Sequence, residues 1–257
     1  MSGWPSALAT ALQFLTRLPI PGGASADPAI FPTILPRALA LFPLVGALIG
    51  AATAAVLVGA AWLWPLPIAV LLALAVEARL TGALHEDAVA DMCDGLGGGR
   101  DAEHALAIMK DSRIGAFGVL GLGLAVALRA CALMTMADVA QAAVALVVAG
   151  AVARLMMLAT MAAVPPIPGR EGLGGSIAAA ARPRVLALGG LAALPALALG
   201  LWWDAAATLL GLLGAALTLA WLRRLLLRRL GGLTGDALGF AGYAAMLAMT
   251  LAFALRG

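Results

Sequence analysis

Seven long apolar runs dominate the chain: residues 39–64, 66–84, 116–137, 139–164, 184–203, 205–222 and 238–255. The hydrocarbon core of a bilayer is about 30 Å thick, and a helix needs roughly 20 apolar residues to cross it. Lipid offers the backbone no hydrogen-bond partner, so runs of this length have to be helical. They predict an all-α fold, a polytopic transmembrane helix bundle of about seven membrane segments. The breaks at Trp64–Pro65, Asp138 and Asp204 read as tight turns between antiparallel neighbours. The first and last runs carry Pro43 or several glycines, which leaves a re-entrant alternative open for each. Residues 4–18 place apolar side chains on one side and predict a helix lying in the membrane interface.

Composition agrees. The chain is 63% apolar and 11% charged, against about 45–50% and 25% in a soluble domain. That excludes a soluble protein with a large core and points to a single integral membrane domain over 1–257. Only Met1 to Pro5 precede the first amphipathic stretch, so no cleavable signal peptide is expected. The formal charge of +3 raises the question of a nucleic-acid partner. The basic residues are scattered at helix ends, so no nucleic acid is expected; the partner is the lipid bilayer. Cys93 and Cys131 lack CxxC spacing and read as unpaired thiols. GxxxG pairs at Gly46/Gly50 and Gly235/Gly239 read as close helix packing, and a homo-oligomer is compatible with such surfaces.

Orientation follows from the basic residues. With the N-terminus in the cytoplasm, twelve of the sixteen Lys and Arg fall on the cytoplasmic side and Arg256 alone falls outside. Arg79, Arg129 and Arg154 lie within the runs. So strong a bias predicts a cytoplasmic N-terminus, with every long polar connection facing the cytoplasm.

The chemistry-bearing residues gather in the connection 85–115, which begins HEDAVADMCDG. Asp87, Asp91 and Asp94 fall on one helical face, within roughly 60° of arc. Like charges so placed repel, and a divalent cation is the economical compensation. Magnesium prefers oxygen ligands and commonly shares carboxylates with substrate phosphates. Asp111, returned by the connection, completes a candidate catalytic and metal set of Asp87, Asp91, Asp94 and Asp111. The bland alternative is a solvated acidic helix end paired with Arg100, Lys110 or Arg113. Residues 101–110 read as a short helix capped by Asp101.

Gly95 and Gly97 to Gly99 suit either a backbone cradle for an anion or a helix C-cap with a loop. Lys110 and Arg113 are candidate phosphate contacts, as is Arg170 in PPIPGREGLGGS; each has the alternative of a topology anchor. Asp236, in GGLTGDALG, is either a helix N-cap or a further carboxylate of the substrate-phosphate site. His85 falls on roughly the opposite face from the aspartates. Glu77, Arg79, Arg129 and Arg154 sit at membrane depth and are functional candidates by position; Arg79 either snorkels or pairs with Glu77.

At these residues the chain resembles the cobalamin synthase family, the adenosylcobinamide-GDP ribazoletransferases. FLTRLPIP (14–21), FPLVGALIGA (42–51), HEDAVADMCDG (85–95), KDSRIGAFG (110–118), GREGLG (169–174) and GGLTGDALG (231–239) match its blocks in order. HEDAVADMCDG follows the family's His-x-Asp-Gly-x-x-Asp-x-x-Asp-Gly pattern, with Ala88 in place of the Gly. Glu86 stands where an apolar residue is usual, and Tyr243 where the family often has an acid. The resemblance implies a magnesium-dependent transfer of the adenosylcobinamide phosphoryl moiety from adenosylcobinamide-GDP. The acceptor is alpha-ribazole or its 5′-phosphate, and GMP leaves. It further implies a bacterial inner-membrane location with the acidic segment at the cytoplasmic face. Asp87, Asp91, Asp94 and Asp111 would bind metal, one accepting the nucleophile's proton, while Arg113 and Arg170 contact phosphates and Asp236 completes the site.

Two other readings compete. A CDP-alcohol phosphatidyltransferase-like enzyme also uses spaced aspartates at a membrane surface, but its Ala-Arg after the glycine is missing here. A divalent cation transporter would line the bilayer midplane with carboxylates, whereas only Glu77 lies deep.

Overall fold

Each apolar run folds as a helix, and tight turns or caps set its ends. The computed structural model describes residues 3–22, 31–168 and 183–255, which contain eleven helices and one isolated bridge. These are α1 (Trp4–Leu15), α2 (Phe31–Ala40), α3 (Phe42–Ala61), α4 (Leu66–Thr81), α5 (Leu84–Gly98) and α6 (Ala102–Ile108). There follow α7 (Ala116–Met134), α8 (Val139–Ala163), α9 (Pro183–Trp203), α10 (Ala205–Arg229) and α11 (Gly235–Ala254). Six of them, α3 and α7 to α11, are each long and apolar enough to cross a membrane. α4 and α5 qualify only together, as a pair bent by 88°. The six single helices match six of the seven expected runs; the remaining run, 66–84, holds α4, which qualifies as a crossing only when joined to α5. Run 205–222 is longer than expected, because α10 continues through its basic end to Arg229.

The turns are capped by the residues that interrupt the apolar pattern. Asp138 accepts a hydrogen bond from Gln141 N, and Asp204 accepts one from Ala207 N. Each satisfies an otherwise orphan N–H at the start of α8 or α10, worth about 1 kcal/mol.

α8 is the central helix. Buried residues make up 78% of its apolar window, against 28% for α7, α9 and α10, which turn most of their surface to lipid. Small residues bring α3 against it. A Cβ on Gly46 or Gly50 would run into the backbone of Gly150 or Leu146, so the first GxxxG pair does the close packing its spacing suggests.

Alternation of the helices collects α1, α5, α6 and the turn before α11 at one end of the bundle. Direct bonds tie that end together. Arg17 N donates to Leu80 O at 2.8 Å, Arg223 Nε to Ala163 O at 3.1 Å, and Leu233 N to Pro165 O at 2.9 Å. At the opposite end Gln141 Nε2 donates to Phe253 O at 2.8 Å, and Trp62 and Trp202 are strongly exposed, as in an interfacial aromatic belt.

The bend between α4 and α5 aims the acidic segment. Gly82 (φ 70°) and Ala83 (φ 55°) are both left-handed, which ends α4 and restarts the chain crosswise to it. Gly82 takes this conformation freely; for Ala83 it costs roughly 1–2 kcal/mol. The connection expected over 85–115 is therefore mostly two helices. Gly95 to Gly98 belong to α5, with Gly99 as its C-cap, and Gly99 N donates back to Gly95 O. Of the two readings of these glycines, the helix end applies and the anion cradle does not. Arg229, at the end of α10, donates through Nη2 to Leu96 O and Gly99 O at 3.2 Å each and so closes the C-terminus of α5.

Candidate active site

Two helices bring the carboxylates together. Asp87 and Asp91 project from α5, and Asp236 lies in the first turn of α11. α11 approaches α5 closely because Gly239 packs on Ala88, where any larger pair would collide. Asp87 and Asp236 consequently line one cavity at this end of the bundle. Thr234, not Asp236, caps α11, accepting from Ala237 N at 3.1 Å. Thr234 thus holds the cap position, and the Asp236 carboxylate lies within electrostatic reach of Asp87.

Their mutual repulsion registers at Asp91. Partial burial, then the charges of Asp87, Asp236 and Asp94, push its carboxyl up to about 6. Four acids within electrostatic reach of one another are the donor chemistry of a hard cation. The sequence names the same aspartates on α5 but leaves Asp236 open between two roles.

Asp94 has other partners. Its Oδ2 accepts from Gly115 N at 2.7 Å and its Oδ1 from Gly118 N at 2.8 Å. It therefore caps α7 from a neighbouring helix, and glycine is required at 115 and 118 because a Cβ there would strike the carboxylate. This accounts for the spacing of KDSRIGAFG. Asp111 sits on the connection between α6 and α7 and forms a two-pronged pair with Arg113, whose Nη2 is 2.6 Å from Oδ2. Arg113 holds the Asp111 carboxyl down at about 2. Lys110 is exposed beside this pair. Arg170 lies outside the described residues.

Among the described residues, no three Asp, Glu, His or Cys side chains converge tightly enough to hold an ion by themselves. The arrangement fits magnesium as the ion is commonly bound beside phosphates, with one or two carboxylates from protein and the remaining oxygens from substrate and water. Asp87, Asp91 and Asp236 are the carboxylates from which those one or two ligands would come.

Beneath α5 lies a buried ionic cluster that the sequence did not resolve. Arg129 of α7 donates through Nη2 to both Glu77 oxygens, at 2.8 and 3.1 Å, with both side chains nearly inaccessible. Glu77 thus pairs with Arg129, not with Arg79, which is exposed. Arg154 of α8 is 1% exposed, and its Nε and Nη1 have no partner among the described residues; nor do His85 Nε2 and Glu86 Oε2. Glu86 and Tyr243 lie close enough to act electrostatically on Arg129. No spacing rule joins Glu77 to a residue 52 positions away, so only the fold reveals the pair.

Comparison with known proteins decides the family. The model of the family described as cobalamin-5-phosphate synthase matches residues 7–254. The chain belongs to that family. Named relatives cover it at similar depth. A protein of Leptothrix cholodnii is 40% identical over 242 residues, covering 90% of this chain and 88% of its own length. One of Bradyrhizobium diazoefficiens is 42% identical over 233 residues, covering 90% and 86%. One of Azorhizobium caulinodans is 38% identical over 238 residues, covering 89% and 88%. All three are named adenosylcobinamide-GDP ribazoletransferase. No solved structure matches the chain. The cobalamin-5-phosphate synthase match spans α1 to α11, so the carboxylates, the α7 cap and the buried cluster all fall within it.

Proposed function

We propose that the protein transfers the adenosylcobinamide phosphoryl moiety from adenosylcobinamide-GDP to alpha-ribazole or its 5′-phosphate, releasing GMP. The observation that carries this reading is the patch of Asp87, Asp91 and Asp236 on crossing helices, in a chain of the cobalamin-5-phosphate synthase family. The reaction is a phosphoryl displacement. A ribose hydroxyl of the acceptor forms a bond to the phosphorus that carries cobinamide, and the bond from that phosphorus to GMP breaks. The hydroxyl proton passes to one of the carboxylates, for which Asp91 is suited because partial burial, and then the neighbouring acids, raise its affinity for a proton.

Bound magnesium would supply the positive charge that neutralises the pyrophosphate oxygens in such a displacement. Asp87 and Asp236 would hold it, with Asp91 beside them as the proton acceptor, while Asp94 fixes the start of α7 and Asp111 orients Arg113. Arg113, Lys110 and Arg170 are the cations available to phosphate oxygens. The positive-inside bias supports a cytoplasmic active site at the inner membrane, where nucleotide-linked substrates are found.

Protein reconstituted in liposomes with adenosylcobinamide-GDP, alpha-ribazole and magnesium tests the reading. The expected products, one for one, are GMP and a corrinoid carrying the ribazole through a single phosphate. Release of GMP without that corrinoid, or turnover of a CDP-linked alcohol in place of the GDP-linked donor, would refute it.

A further inference from the structure

The cavity that Asp87 and Asp236 line reaches into the bundle between α1, α5, α8 and α11, and has a volume of about 200 Å³. Phe14, Met157, Met161 and Leu238 form its apolar walls, and among the described residues the two carboxylates are its only charged groups. Pockets that enclose a whole drug-sized ligand measure roughly 300–1,000 Å³. This one takes a single moiety, and it excludes a corrin ring by size.

Its chemistry selects among the moieties that remain. A guanine base can donate N1–H and N2–H to a carboxylate, but its O6 and N7 are acceptors, and the side chains lining this cavity offer them no donor. Guanine buried there would leave polar atoms unpaired, which is costly. A flat fused-ring base with hydrocarbon edges loses little. The Met157 and Met161 thioethers and the Phe14 ring suit its faces, since sulfur–aromatic contacts are favourable. A base seated against these walls leaves its ribose at the charged side of the cavity, beside the carboxylates.

We propose that this cavity is the acceptor subsite, which takes the flat, apolar heteroaromatic base of the ribazole and sets the ribose hydroxyl beside Asp87 and Asp236. The proposal rests on the transfer reading above and adds where the nucleophile binds and what selects it.

The full-length protein in liposomes, as wild type, Met161→Trp and Met161→Ala, tests it with two acceptors: alpha-ribazole and a riboside of single-ring imidazole. Met161→Trp fills the cavity and should raise KM for alpha-ribazole roughly tenfold or more, with a smaller rise for the imidazole riboside and none for the GDP-linked donor. Met161→Ala removes the thioether contact and should raise KM for alpha-ribazole more than for the imidazole riboside; it carries the test if the Trp variant does not fold. Calorimetric titration with alpha-ribazole alone should show weaker binding to Met161→Trp than to wild type. Equal effects on both acceptors, or a rise confined to the donor's KM, would overturn the subsite. Failure of the wild type to release GMP would instead defeat the transfer reading, while the titration still reports on the cavity.

Discussion

Asp91 and Asp94 are three residues apart on one helix and have separate jobs. Asp94 is spent on the N–H groups of Gly115 and Gly118, whereas Asp91 faces other acids. Charged hydrogen bonds of the first kind contribute about 1.5–3 kcal/mol when buried. Asp94→Ala should therefore lower the unfolding midpoint in detergent clearly. Asp91→Asn should leave that midpoint unchanged or slightly raised, because it removes repulsion, yet abolish turnover. Thermal unfolding of the two variants side by side checks this, and the reverse ranking would contradict it. Helical spacing alone put both residues on one face. It could not show that the face turns inward at Asp94, because that depends on where α7 begins.

At the scale of elements, two devices set the site: the buried pair that ties α4 to α7, and the close approach of α5 to α11. Removing one partner of a buried ion pair costs about 3–5 kcal/mol, because the other is left uncompensated. Glu77→Gln should cost that much in stability, and Glu77→Gln with Arg129→Met should recover a large part of it. Denaturant titration in detergent measures both, and a double variant less stable than the single would contradict the account. The approach of α5 to α11 depends on Gly239 against Ala88. Gly239→Ala should separate the helices enough to displace Asp87 from Asp236, and misplacement by an ångström can cost about 10²-fold in rate. Adding Ala88→Gly should restore much of the loss, read as turnover under identical conditions. The helices themselves were legible because apolar length and capping aspartates are local signals. The 88° bend was less so, since it needs a left-handed alanine at 83 that no propensity favours.

For the whole molecule, the sequence read most clearly: an all-α membrane bundle with its acids at one end. Glu77, the deep carboxylate that the sequence singles out for a transport pathway, is paired with Arg129. What the chain could not display was the pairing of distant elements, such as Arg229 with the end of α5 or Asp236 with Asp87. Those contacts come from packing, not from periodicity. The proposed orientation, which rests on the basic-residue bias, puts the acidic end in the cytoplasm. In a variant with Cys93 and Cys131 replaced by Ser, Ser112→Cys should resist an impermeant thiol reagent in intact cells, while Trp62→Cys at the opposite end should react. The opposite labelling pattern would invert the topology.

The central claim is that Asp87, Asp91 and Asp236 together form the magnesium-dependent phosphoryl-transfer site. Initial rates of GMP release from adenosylcobinamide-GDP plus alpha-ribazole, with and without magnesium, for wild type and for Asp87→Asn, Asp91→Asn and Asp236→Asn, test it most directly. The account predicts no release without magnesium, and a loss on the order of 10²-fold or more in each variant, as expected when groups that stabilise transition-state charge are removed. Magnesium-independent release, or wild-type rates in any of the three variants, would contradict it.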